Sequence, residues 1–100
     1  MGDVTRVSWH ARMRYCERRE LRYIKNIDNA RLGKGREEDH QIVRKIDGII
    51  LHTINDKALC IKGLTKNNKN KALFLYDDLL FVVKYNRGKG IVVTVMLDHP

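Results

Sequence analysis

Three residues near the start of the chain, His10, Arg14 and Arg18, stand four positions apart. On a helix that spacing lines them up along one side. An imidazole followed by two guanidiniums can hold a phosphate and move a proton beside it. Next to cationic Arg14, His10 is expected to favour its neutral, base-competent form. Arg14 and Arg18 would bind a phosphodiester and stabilise charge building at phosphorus. RNA carries its own nucleophile in the 2′-hydroxyl, so such a site needs only a base, an acid and cations. No carboxylate cluster has metal-ligand spacing, which argues against a metal-dependent nuclease; Glu37-Glu38-Asp39 is better explained as a helix start. No cofactor is expected. The plainer reading of the row is a solvated helix face in which Arg14 pairs with Glu17.

The elements that would position this row follow from pattern. Ser8 suits a helix N-cap. At about 100° per residue, Trp9, Met13, Cys16, Tyr23 and Ile24 share a sector. His10 falls at its edge, and Arg14 and Arg18 step towards solvent. Trp9 is expected to anchor this helix in the core. Glu20 would point inward on a straight helix, so a break is expected near Arg19 or Glu20. A second helix carrying Leu21, Ile24 and Ile27 should end at Gly33 or Gly35. A third begins at Glu37 and carries Ile42, Val43, Ile46, Ile49, Ile50 and Ile54 at helical period.

After Lys57 the pattern becomes strand-like: 58–65, 71–76, 79–85 and 90–96 are short, rich in β-formers and separated by turns. Close turns imply antiparallel neighbours. The expected fold is therefore α+β: two or three N-terminal helices packed on a curved four-stranded antiparallel sheet. One domain covers residues 1–100, with a helical part over 8–55 and a β-meander over 58–97. The last strand is apolar on both sides, so its second face is expected to be covered by sheet curl or by a partner, a homodimer being one such arrangement. Thr94 is the polar residue in that strand and would offer a hydroxyl where the strand meets the first helix.

Charge points to the partner. Residues 1–36 hold ten Lys/Arg against four acids, 37–57 three against five, and 58–100 seven against three, for a net charge of +8. The first segment is Arg-rich, suited to bidentate phosphate contacts; the last is Lys-rich, suited to diffuse attraction. The expected ligand is RNA or another nucleic acid, guided by Arg12, Lys62, Lys66, Lys69, Lys71 and Lys89. No apolar run approaches the length of a membrane span. With no signal-peptide pattern and two well-separated cysteines, a soluble cytoplasmic protein with free thiols is expected.

The pattern His-Ala-x-x-Arg-Tyr-x-x-Arg, complete as His10, Ala11, Arg14, Tyr15 and Arg18, carries a resemblance, together with 75–83 (Leu-Tyr-Asp-Asp-Leu-Leu-Phe-Val-Val) and 91–95 (Ile-Val-Val-Thr-Val). The chain resembles small phage and prophage proteins of the barnase–EndoU–colicin–RelE-like group of metal-free nuclease folds. The resemblance implies an N-terminal helical part on a curved antiparallel sheet. It implies a site drawn from His10, Arg14 and Arg18 on the helix and Thr94 late in the sheet. The activity implied is toxin-like ribonuclease action by metal-free transesterification. The alternative is a non-catalytic phage protein that binds and modulates a host protein or nucleic-acid complex.

Overall fold

A computed structural model describes residues 3–64 and 70–98. The order of elements is β1 (Val4–Val7), α1 (Trp9–Arg18), α2 (Ile24–Arg31), α3 (Glu37–His52), a π-helical turn (Thr53–Lys57), β2 (Leu59–Lys62), β3 (Lys71–Tyr76), β4 (Leu79–Asn86) and β5 (Lys89–Leu97). The fold is α+β, with three helices on a five-stranded mixed sheet of order β1-β5-β4-β3-β2. The expected meander is present as β2 to β5, antiparallel throughout. The expectation of four antiparallel strands is corrected by β1, which pairs parallel with β5. Four residues whose partner lies at the far end of the chain carry almost no local signal. Residues 65–69 lie outside the described part, as do the end of the expected 58–65 strand and Lys66 and Lys69.

Local chemistry explains each helix end. Ser8 caps α1, its Oγ accepting from the Ala11 N–H at 3.0 Å. The same residue pins the helix to the sheet. Its N–H donates to the Val92 carbonyl at 2.9 Å and its hydroxyl to the Val93 carbonyl at 3.2 Å. At the other end Glu20 takes a left-handed φ of 56°. Glu20 N–H then reaches the Glu17 carbonyl and Leu21 N–H the Cys16 carbonyl, which closes the helix in a Schellman turn. The expected break at Arg19–Glu20 is therefore real. The same turn ends α2, with Gly33 at φ 75° in the left-handed position.

The start of α3 is tied to α2 by Asp39. It is 7% exposed and accepts from the Arg36 N–H at 2.9 Å and the Asn26 amide at 2.8 Å. Those bonds, the Arg36 N–H first, hold its pKa below the ordinary 3.8. The π turn after α3 presents Asn55 to the free edge of β1. Its Oδ1 accepts from Val4 N–H at 3.1 Å and its Nδ2 donates to the Val4 carbonyl at 2.9 Å. One side-chain amide thus does what a further strand would do for that residue, and blunts the edge.

The core lies between the helices and one face of the sheet. Phe81, Val83, Val92 and Val95 pack there against Ala11, Cys16, Ile27, Ile46 and Ile50, all fully buried. Burial, then the neighbouring Glu17 carboxylate, pushes the Cys16 thiol up to about 11. Two expectations for α1 are corrected. Trp9 is 37% exposed and does not anchor the core. The buried side carries Ala11, Tyr15 and Cys16, about a third of a turn from the expected sector, with Cys16 common to both. Tyr15 packs on Phe81, with ring centroids 6.3 Å apart. A long-range ion pair accompanies this orientation: Arg12 donates through Nε and Nη2 to the two Asp47 oxygens of α3, at 2.5 and 2.7 Å. With Arg12 turned towards α3, Trp9 is carried outward.

Candidate nucleic-acid interface

A concave feature runs along the β1 edge. One part, of about 540 Å³, is walled by Thr5, Arg6, Val7, Ser8, Trp9, Arg12, Asp47 and Ile91. A second, of about 280 Å³, continues from it, sharing Thr5, Arg6 and Ile91 and adding Asn86, Arg87 and Lys89. Three elements build this groove: the edge strand, the first turn of α1 and the β4–β5 hairpin. The hairpin is tight because Arg87 and Gly88 both adopt positive φ, 53° and 79°, as a type I′ turn requires. That turn places Arg87 and Lys89 beside Arg6.

The groove is cationic. Four basic side chains face one carboxylate, and that carboxylate is occupied by Arg12. Arg6, Arg87 and Lys89 have no acidic partner among the described residues. Trp9, the single tryptophan of the chain, lies against Arg12, whose guanidinium carbon is 4.3 Å from the ring centroid. The Arg12–Asp47 pair is the rigid floor of this arrangement, its side chains only 12% and 25% exposed. A bidentate pair held that way fixes the guanidinium plane, and the plane fixes the indole.

The expected site residues are distributed as follows. Arg12 and Lys89 line the groove. Lys62 and Lys71 lie at a shallow pocket on the opposite face of the sheet, with Leu73, Val82 and Met96. His10 and Arg18 are exposed on the outward side of α1. Arg14 makes an exposed ion pair with Glu17 at 3.1 Å. Thr94 is paired with Val82 and alternates with the buried Val95, so its side chain is directed away from the helices. The helix carrying His10 packs against the other face. His10, Arg14, Arg18 and Thr94 therefore do not converge, and none of the four lines the groove. Among the described residues, no three His, Cys, Asp or Glu side chains converge as a metal set would.

Sequence reasoning missed Arg6, Trp9 and Arg87. Arg87 was legible in principle, since Arg-Gly at the tip of a two-residue hairpin projects its side chain beside the strand ends. The i,i+3 spacing of Trp9 and Arg12 also permits a stacked pair. Arg6 had no signal apart from the valines at 4 and 7 that flank it. No helix among the described residues is long and apolar enough to cross a membrane. Comparison with family models, with curated proteins and with solved structures returned no match for this chain.

Proposed function

We propose that the protein is a small basic nucleic-acid-binding protein that holds a single strand, RNA foremost, in the groove along β1. The observation that carries this reading is the continuity of three cations without an acidic partner among the described residues (Arg6, Arg87, Lys89) with a partly exposed indole (Trp9) in one groove. Single-strand binders combine these two parts: cations that follow the phosphates and an aromatic face that takes a base without regard to its identity. The bidentate lock on Arg12 holds the indole in place before ligand arrives, so little ordering is needed on binding.

The test uses the protein's own reporter. Trp9 emission is titrated with a single-stranded oligoribonucleotide and with a duplex of the same sequence. Quenching by the single strand is expected. With three phosphate contacts, log K should fall against log salt with a slope of about −2, at roughly 0.7 per contact for single strands. Arg6→Glu combined with Arg87→Glu should abolish binding. Unchanged emission and anisotropy at low salt would refute the proposal.

A second reading rests on His10 and Arg18, which are exposed and unpartnered among the described residues. On RNA already held by the groove, His10 would act as base or acid in metal-free transesterification, with Arg14 and Arg18 on the phosphate and without Thr94. Cleavage that survives chelator and disappears in His10→Ala would establish it. Intact RNA across a broad panel would leave the protein a binder only.

A further inference from the structure

The face of the sheet turned away from the helices is largely apolar and carries no helix; Val82 at its centre is buried, and exposure rises towards Met96 and Leu59. Cross-strand register assembles it into rows. Met96, Leu80, Leu75 and Leu59 form one; Thr94, Val82, Leu73 and Lys62 form the next. Met96 is 40% exposed and Leu59 67%. A sheet solvated on one side normally alternates apolar and polar residues, and these two adjacent rows are apolar but for Thr94 and Lys62. The molecule is a slab of 44 × 31 × 21 Å.

Charge at the two ends of the rows indicates the occupant. Beyond the Val82 row stands Lys84, paired with Ile91; beyond the Leu80 row the Asp98 N–H donates to the Asp78 carbonyl at 2.9 Å. Lys84 and Asp98 are exposed. Arg19, at the end of α1, holds the Asp78 carboxylate at 3.2 Å, so along the strands the order is Lys84, two largely apolar rows, Asp98. A two-fold axis through the middle of the apolar rows, with strands of the two copies antiparallel, superposes the apolar rows. It also sets each Lys84 at the end of the face where the second copy carries Asp98. The parallel alternative sets lysine on lysine. We infer that this face binds a second copy of the chain, sheet against sheet, in the antiparallel orientation. A symmetric interface of this kind presents the same patch twice, and packed sheets tolerate the modest rotation that strand twist imposes.

This inference does not rest on the nucleic-acid groove, and none of the positions tested lines it. Sedimentation equilibrium of the full chain should give twice 11.7 kDa at micromolar concentration. Leu75→Lys should sediment as a monomer with unchanged far-UV circular dichroism. Met96→Lys, two strands away in the same row, should do the same, so that misfolding of one variant does not decide the matter. Lys84→Asp should weaken the dimer by about tenfold or more. Adding Asp98→Lys to that chain should restore it, because each copy then offers the exchanged pair. A single 11.7 kDa species at sub-millimolar concentration overturns the proposal and leaves the face to a different protein. A charge exchange that fails to restore the dimer overturns the antiparallel orientation.

Discussion

Helix α1 carries arginines on two sides, and the protein treats them differently. On one side Arg12 is held by two bonds to Asp47, stacks on Trp9 and forms the floor of a groove. On the other, His10, Arg14 and Arg18 stand in solvent, with one exposed bridge from Arg14 to Glu17. Both sides have the residue types of a phosphate site. Only the first has been built into the tertiary structure. Spacing along a helix identifies rows, and a contact from a distant element decides which row is rigid.

The largest expected difference between the two sides is in stability. Arg12→Ala leaves the Asp47 carboxylate, three-quarters buried, without its partner. Losing a fully buried pair's partner costs about 3–5 kcal/mol, so about 2–3 kcal/mol is expected at this partly exposed site. For a domain of this size that lowers the melting temperature by roughly 10–20 °C, measurable by scanning calorimetry. A shift of only a degree or two would mean that the pair does not set the helix orientation.

Binding should separate the sides next. Trp9→Ala removes a stacking face worth about 1–3 kcal/mol per base, so affinity for single-stranded RNA should fall about tenfold. Arg14→Ala with Arg18→Ala should change it only slightly, through lost long-range attraction. If the double variant loses more than Trp9→Ala, the outward row is the binding face and the groove is not.

What could be read from the sequence divides along the same line. The Ser8 cap, the break at Glu20, the end of α2 at Gly33 and the meander from β2 to β5 are set by residues adjacent in sequence, and all were legible. The rotation of α1 was not. It goes with contacts to distant elements, such as Arg12 meeting Asp47 thirty-five positions away, and a helical wheel weighs only the apolar residues of its own helix. The apolar Trp9 therefore misled, because its exposed position is fixed by its neighbour Arg12. Strand β1 was missed for a related reason: its pairing with β5 spans almost the whole chain. With β1 unseen, the groove it helps to wall was unseen too, and Arg6 and Arg87 with it. Arg12 and Lys89 were found, because charge alone selects them.

A smaller effect sharpens how the built side is anchored. Ser8→Ala removes the cap on Ala11 and the bond to the Val93 carbonyl. Loss of a cap costs about 1 kcal/mol, and the loosened first turn carries Trp9. Chemical denaturation should report the stability loss with an unchanged m-value. Fluorescence anisotropy of Trp9 should fall in the same variant. A stability loss with unchanged anisotropy would show that Arg12 alone immobilises the indole.

The smallest effect is expected on the outward side. The Arg14 and Glu17 side chains are 43% and 41% exposed. Their bridge gains little in water, and holding two long side chains together costs entropy, so exposed pairs of this kind contribute about 0.2–1 kcal/mol. Arg14→Ala should therefore lie within about 0.5 kcal/mol of the parent, and raising the salt concentration should narrow even that gap as the bridge is screened. The same variant carries more weight as a probe of chemistry. If His10 cleaves RNA, Arg14→Ala should reduce cleavage by far more than it reduces stability or binding, because a cation beside the reacting phosphate acts mainly on the transition state. If cleavage, binding and stability all remain near parental values, the His10–Arg14–Arg18 row is a solvated helix face, and the built side of α1 is the only one that reaches ligand.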